Sequence, residues 1–435
     1  MMKTIAAKVD SFLEEWQICA ESVDIQQVCS SFLAEMEKGL KGPSSLAMIP
    51  TYVEAPQKVS SNQRVIVLDA GGTNVRSCVV FFDAQMKPHI SDFRKTGMPG
   101  AQQEVSERQF FSALADMVEP LIHTSDRIGF CFSYAAEITD DHDGIPLGFS
   151  KEIKAPSVVG KRVGKGLLDE LHKRGYHVEN KRISVINDTV ATLLAGRIAS
   201  LQTPYESYIG FILGTGTNTA YIETNSVITK KPHLGPGQQI INVESGGFAY
   251  DLGPLDRLFV QATERPQFYH FEKMISGAYL GSFSHLCIQK AVEQSLFSPT
   301  FANRFATLPP LDTMRMSHYL ERPWDKEVEL VRCIANEEDA TALWMICDAV
   351  IERAAKLTAA NLSAAVLKSD FGKSPRAPVC INADGTTYYK TKGLQTYTEY
   401  YMHQFLTKTH RRYATFVTID NSPVLGAGVA GLLLD

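Results

Sequence analysis

The stretch Val65–Phe82, reading Val-Ile-Val-Leu-Asp-Ala-Gly-Gly-Thr-Asn-Val-Arg-Ser-Cys-Val-Val-Phe-Phe, decides the fold. Two β-branched, apolar runs flank Asp-Ala-Gly-Gly-Thr-Asn, which is the pattern of strand, tight turn and strand. The first run is apolar throughout, as expected of a strand buried on both faces. Asp69 falls where that strand ends. Gly71 and Gly72 let the backbone turn sharply and approach a ligand with no Cβ in the way. Successive N–H groups in such a turn form an anion-binding concavity. Thr73, Asn74 and Arg76 add donors suited to phosphate oxygens. Asp69 adds a carboxylate able to hold Mg²⁺ directly or through water. The same residues also make an ordinary β-hairpin with a Gly-Gly turn. A Walker P-loop is excluded, because no Gly-Lys-Ser/Thr follows and the next element reads as a strand.

At 435 residues the chain exceeds one domain on length alone. Its apolar and charged fractions are those of an ordinary globular protein. A formal charge of -5 gives no sign of a nucleic-acid or anionic-membrane partner. Eight cysteines are too dilute for a disulfide scaffold, and no two have C-x-x-C spacing. The N-terminus lacks the apolar core of a signal peptide, and no apolar run approaches the ~20 residues of a membrane span. A reducing cytoplasm is the expected location.

Working outward, residues 4–40 read as helical, with Gly39, Gly42 and Pro43 as the stop. Ser106–Ile122 and Val159–Gly175 read as helices, and Ile128–Phe132 as a short buried strand. The acidic loop Asp140–Gly144 lacks the bidentate Glu of a calcium loop and reads as a turn. Ile183–Ile186 is a strand, and Asn187-Asp188-Thr189 opens the helix Val190–Ala199. Strands at Tyr208–Leu213 and Thr219–Glu223 surround Gly214-Thr215-Gly216-Thr217-Asn218, which parallels the first glycine turn and suggests a duplicated fold. Residues 255–330 turn mostly helical. Glu337–Lys368 is one long alanine-rich helix, and Val379–Ala383 is a buried strand leading to Asp384-Gly385-Thr386. Gly426-Ala427-Gly428 and an apolar helix at Val429–Leu434 close the chain. Alternating strands and helices with polar turns at the strand ends give an α/β architecture with ligands at the carboxyl ends of strands.

Asp188, at a strand-to-helix junction, is the sharpest candidate for a general base; the plain alternative is a helix cap. Phosphoryl transfer needs such a base, a metal site and donors around the phosphates.

These segments, in this order from about Ile49 onward, resemble the eukaryotic-type hexokinase family of the actin, Hsp70 and sugar-kinase superfamily. Leu68–Arg76 resembles its first phosphate motif, and Ile212–Asn218 its second. Phe130–Ser133 and Gly148–Lys151 are similar to its sugar-binding region, and Val185–Thr192 to its catalytic segment. Asn242-Val243-Glu244 and Phe271-Glu272-Lys273 stand where the family has further sugar ligands. The long helix and Gly426–Ala430 resemble its connecting helix and adenosine-binding segment.

The resemblance implies a two-domain actin-like ATPase fold, of the ribonuclease H-like kind, with a cleft between domains. It implies a small domain at 64–187 and a large one at 188–424. Residues 1–63 would pack with the large domain, and residues 425–435 would return to the small one. Asp188 would take the proton from the sugar's primary hydroxyl, and Lys151 would reach the transferred phosphoryl group. Ser133, Ser150, Asn187, Asn218, Asn242, Glu244 and Glu272 would hold the other hydroxyls, with Glu244 and Glu272 away from the phosphates. Asp69, Gly71, Gly72, Thr73, Asn74, Arg76, Gly214, Thr215, Gly216, Gly385, Thr386, Gly426 and Gly428 would face ATP, with Asp69 on Mg²⁺ through water. Two departures stand out. Tyr134-Ala135 replaces the family's usual Phe-Pro, which removes a restraint on that loop, and Ser150 replaces a threonine.

The expected activity is ATP-dependent phosphorylation of a hexose at its 6-hydroxyl, with glucose as the sugar. The partners are a hexose and a nucleotide, with no nucleic acid and no membrane, in a monomer or homodimer. Alternatives are a kinase for fructose or a hexosamine, or a sugar sensor without catalysis.

Overall fold

The computed structural model describes all residues except 1–3, 56–58, 150–152, 201–202, 233 and 435. Ser150 and Lys151 therefore lie outside the described residues.

Two helices open the chain, α1 (Ile5–Glu15) and α2 (Ile25–Lys41). The Asp24 carboxylate caps α2 by accepting the Gln26 and Gln27 N–H groups. A short strand β1 (Ile49–Pro50) leads to β2 (Val65–Gly71), β3 (Asn74–Phe82) and β4 (Pro88–Gly97). Helix α3 (Glu107–Val118), β5 (Arg127–Phe132), the small hairpin β6 (Ala136–Ile138) and β7 (Gly144–Pro146), and α4 (Val163–Lys173) follow. Strand β8 (Arg182–Ile186) runs into α5 (Asp188–Ala199).

The pattern then repeats. Strands β9 (Ser207–Leu213), β10 (Thr217–Thr224) and β11 (Gln238–Asn242) form a second meander. A helical excursion follows: α6 (Pro254–Gln261), α7 (His270–Ile275), α8 (Leu280–Glu293), α9 (Pro299–Phe305), α10 (Thr313–Glu321) and α11 (Glu329–Cys333). The long α12 (Glu337–Ser369) leads to β12 (Val379–Asp384), α13 (Thr386–Lys390), α14 (Leu394–Met402), β13 (Ala414–Val417) and α15 (Ser422–Leu432).

One sheet has the order β4-β3-β2-β5-β8, and the other β1-β11-β10-β9-β12-β13. In each, a three-stranded antiparallel meander is extended by two strands parallel to its first strand. The duplication suggested by the two glycine turns is thus present in the strand order itself.

Alternate residues of the central strands face opposite cores. Ile66 and Leu68 pack under α3 and α4, whereas Val65 and Val67 face α5 and α15. Ile209 and Phe211 face α12 and the N-terminal helices, whereas Tyr208 and Ala220 face α5. Helices α5 and α15 therefore form a layer shared by both sheets. Such a layer must be thin, and small residues make it so. A Cβ on Gly426 would collide with the Ala191 carbonyl, and one on Gly129 with the Ala427 carbonyl. A Cβ on Gly428 would come 2.8 Å from Val80 Cγ1.

This corrects one expectation. Gly426 and Gly428 were expected to face adenosine, with the last helix starting at Val429. Helix α15 instead begins at Ser422, and both glycines are buried inside it as packing positions. The Asp140–Gly144 turn has a structural task too. Helix α4 has no side-chain cap of its own. Asp143 supplies one from the turn, accepting the Gly164 and Lys165 N–H groups at 2.6 and 2.9 Å.

All eight cysteines are buried and unpaired. Among the described residues no helix is long and apolar enough to cross a membrane.

Because α15 lies against backbone at Gly426, Gly426→Ala should destabilise the protein by about 1–3 kcal/mol or more, the usual cost of overpacking a tight core. Chemical denaturation of parent and variant checks this; equal midpoints would mean that the α5–α15 contact yields without cost.

Candidate active site

The carboxyl ends of β2, β5, β8, β9 and β12 carry the candidate residues, where ligands bind in open α/β sheets. Gly71 and Asn74 are register partners, so Gly72-Thr73 forms a two-residue hairpin turn. Gly72 sits at φ +56, a conformation that glycine adopts without strain. At Gly71 a Cβ would come 2.6 Å from Ser133 Oγ, so glycine brings the turn against the end of β5. Asp69 is 2% exposed, and Arg76 Nη1 lies 2.6 Å from its Oδ2. Burial raises the Asp69 carboxyl above its usual range, against the pull of Arg76. Arg76, expected to face phosphate, spends at least one of its donors on Asp69.

The second turn lies between β9 and β10. The Gly214 N–H donates to Gly216 O at 2.9 Å and closes it. Gly214 O accepts from Gly277 N–H at 2.9 Å and from Thr387 Oγ1 at 2.8 Å, and Thr215 O accepts from Ala278 N–H at 3.2 Å. Gly385, at φ +116, packs against the Leu213 carbonyl, where a Cβ would collide. This places Asp384-Gly385-Thr386 beside the second turn, with Thr386 exposed.

Asn187 decides the status of Asp188. Its Oδ1 accepts the Thr189 N–H at 2.9 Å and is the N-cap of α5. Asn187, and not Asp188, therefore fills the N-cap position. Burial pushes the Asp188 carboxyl up to about 7, and the charges of Asp69 and Glu244 add to this. Hydrogen bonds from the Ser133 hydroxyl and the Thr189 N–H work in the other direction.

Around Asp188 lies a chain of amides and carboxylates. Asn218 Nδ2 donates to Asn242 Oδ1 at 2.7 Å and approaches Asn187 Oδ1 at 3.3 Å. Asn242 Nδ2 donates to Glu244 Oε1 at 2.8 Å. Glu244 holds the left-handed conformation, φ +57, as its segment leaves β11. Burial raises its carboxyl. Glu272 Oε2 accepts the Thr217 N–H at 3.1 Å. Burial pushes this carboxyl up to about 7, with the Glu244 charge adding. A Cβ at Gly216 would stand 2.6 Å from Glu272 Oε2. Glu272 thus lies directly against the second glycine turn, which corrects the expectation that it sits away from the phosphate motifs.

The structure brings together Asp69, Ser133, Asn187, Asp188, Asn218, Asn242, Glu244, Glu272 and both turns, and removes Gly426 and Gly428. Reading the sequence missed three features. Asp384 bears on the charge of Asp69 from the opposite sheet; its signal was a carboxylate ending a buried strand, as at Asp69. The Thr217 N–H and the Ser276–Ala278 segment act through backbone and leave no side-chain signal. Among the described residues no three His, Cys, Asp or Glu side chains gather into a metal cage. Asp69 and Asp384 are hard oxygen donors that suit Mg²⁺ only if phosphates and water complete its shell.

Sequence models of the hexokinase family match residues 8–198 and 208–433. Human Hexokinase-3 is 32% identical over 378 residues, covering 81% of this chain and 39% of that protein. A Schistosoma mansoni hexokinase is 28% identical over 398 residues, covering 84% of both chains. The chain thus spans less than half of the first relative and most of the second. The solved structure of hexokinase from Schistosoma mansoni complexed with glucose has a TM-score of 0.77 at 24% identity, covering 98% of each chain. A second hexokinase crystal structure gives 0.77 at 20% identity. At these identities the likeness establishes the fold, a two-domain actin-like sugar-kinase fold.

The raised Asp188 carboxyl predicts a stability signature. Between pH about 4, the unfolded value, and about 7, the folded protein holds a proton that the unfolded chain has lost. Stability therefore falls as pH rises through that window, and the loss is complete above it. Asp188→Asn removes the loss. The variant should gain roughly 1–4 kcal/mol relative to the parent between the two ends of the window. Denaturation at several pH values checks this, and a pH-independent difference would contradict it.

Proposed function

The chain belongs to the hexokinase family, and from that premise we propose that it transfers the terminal phosphoryl group of ATP to the 6-hydroxyl of a hexose, with glucose as the preferred sugar. The observation that carries this reading is the Asp188 carboxylate, left off the N-cap by Asn187 and raised to about 7 beside Ser133, Asp69 and Glu244. A general base works best when its pKa lies near the working pH. Asp188 would accept the proton from the 6-hydroxyl as that oxygen bonds to the phosphorus and the bond to ADP breaks. The other hydroxyls would be held by Ser133, Asn187, Asn218, Asn242, Glu244 and Glu272. A buried set of this kind discriminates against a sugar that leaves one of its groups unpaired. The glucose complex of the Schistosoma mansoni relative supports the choice of sugar.

The turns Gly71-Gly72-Thr73 and Gly214-Thr215-Gly216 would present N–H groups to the phosphates. Lys151 would add a cation there, as the family resemblance implies. Asp69, through water, and Asp384 would hold Mg²⁺, which neutralises developing charge on the phosphates when bound. A sensor without catalysis has no need of a carboxylate tuned to about 7.

A coupled assay with ATP and a panel of hexoses tests the activity. Asp188→Asn should lower kcat by ~10²–10⁴ while sugar binding persists. In the parent, kcat/KM should rise with pH through an apparent pKa near 7, because the base must be deprotonated in the free enzyme. A loss below tenfold would end the assignment.

Glu244→Gln should weaken glucose binding by roughly one to two orders of magnitude, the worth of a charge-assisted hydrogen bond. ATP affinity measured without sugar should hardly move. Calorimetric titration of both ligands checks this, and an unchanged glucose affinity would place Glu244 outside the sugar site.

A further inference from the structure

Tyr134 follows Ser133 at the end of β5, yet its hydroxyl leaves that loop. It donates to the Gly72 carbonyl at 2.7 Å, across to the tip of the first glycine turn. The ring has little freedom to do otherwise. It is 6% exposed and meets Phe132 and Phe149 edge-on, each with centroids 5.1 Å away. Gly72 and Thr73 themselves are exposed, and a Cβ on Gly72 would touch nothing. Nothing on Gly72 itself therefore restrains the central peptide of the turn.

That peptide is planar and trans, so its C=O and N–H point in opposite directions. Fixing the Gly72 carbonyl fixes the direction of the Thr73 N–H. Gly72 alone of the pair has a positive φ, as in a type II′ turn; the flipped, type I′ form puts the β-branched Thr73 at positive φ too, and the Tyr134 bond adds a direct restraint against that flip. The next peptide is held as well, since Thr73 O accepts the Met98 N–H at 2.9 Å. Both carbonyls of the tip are thus occupied on the protein side.

We propose that Tyr134 is a positioning residue for the nucleotide. Its hydroxyl locks the Gly72–Thr73 peptide so that the Thr73 N–H is presented to a phosphate oxygen. The same residue joins the sugar-side loop at Ser133 to the phosphate side. This rests on the reading of Gly71–Thr73 as a phosphate-facing turn.

The test uses the full chain and MgATP, titrated without sugar, beside glucose titration and thermal unfolding. Tyr134→Phe deletes one hydroxyl and keeps the ring. It should weaken MgATP binding by roughly 2- to 10-fold, the worth of one neutral hydrogen bond. Glucose affinity should stay at the parental value, and the unfolding midpoint should fall by no more than the loss of a single hydrogen bond accounts for. Gly72→Val serves as the reference for the turn itself. If Gly72→Val abolishes MgATP binding and Tyr134→Phe leaves it unchanged, the lock is refuted and the turn reading stands. If Tyr134→Phe weakens both ligands and lowers the midpoint, the residue is merely structural and the proposal fails. Normal MgATP binding by Gly72→Val would overturn the turn reading, and the lock with it.

Discussion

Negative charge held in a confined space is the constraint around which this protein is built. Asp69, Asp188, Glu244, Glu272 and Asp384 converge at the strand ends. Arg76 pairs with Asp69, and the charge of Lys273 acts on Glu272. Like charges in a poorly hydrated site repel strongly, and each raises its neighbour's pKa. The fold meets this with dipoles. Asn218 and Asn242 turn amide N–H groups onto Glu244, and Thr217 turns a backbone N–H onto Glu272. Compensation is incomplete, so Asp188 and Glu272 remain near 7 in the sugar-free protein. In the reading proposed above, sugar hydroxyls and a phosphate-bound cation would supply the compensation that these dipoles leave incomplete.

A site with that tension needs a stiff surround, and the N-terminal helices provide part of it. Phe32 of α2 stacks on Phe248 at 3.7 Å and meets Phe271 edge-on at 4.9 Å. Phe248 ends the segment that begins at Glu244, and Phe271 adjoins Glu272. One ring from α2 is therefore wedged beneath both glutamate segments. Glu35, one turn further on, accepts from both Ser44 and Ser45, and these bonds hold its carboxyl down at about 2. The Ser45 carbonyl in turn abuts Gly247, where a Cβ would come within 2.8 Å. Deeper still, the buried Arg353–Asp256 pair ties α12 to α6, and Arg353 Nη1 also donates to the Gln17 carbonyl. Removing one partner of such a pair is costly, so this part of the scaffold resists change.

The parts legible in the sequence were those whose signal is local. Strand, glycine turn and strand is a contiguous pattern, and it located both hairpins. Asp188 stood out as a carboxylate at a strand-to-helix junction, and only the structure shows that Asn187 takes the cap in its place. Glu244 and Glu272 were legible only through family resemblance, since an isolated Glu reads as solvated surface. Gly426 and Gly428 misled because a glycine-rich run looks the same whether it serves a ligand or a tight helix contact. Only the partner, Ala191 on α5, distinguishes the two, and it lies more than two hundred positions away. Shorter separations hid the cap that Asp143 gives α4 and the bond from Tyr134 to Gly72, 21 and 62 positions apart, because neither bond leaves a local pattern.

The two hairpins are held in different ways, and the difference follows from their surroundings. At the first, side-chain and edge-strand donors, Tyr134 and Met98, occupy the tip carbonyls. At the second, the backbone of Gly277 and Ala278 does so, just beyond the end of α7. Glu272 lies on α7 and accepts from Thr217, at the other end of the same turn. Helix α7 and the segment that follows it are thus hydrogen-bonded to the second turn through both Glu272 and the backbone of Gly277 and Ala278. A displacement of Glu272 on meeting a hydroxyl must pass into that turn or break one of those bonds. Glu272 and the second turn share one hydrogen-bonded frame, and the glycines at 216 and 277 are what let its two halves approach so closely.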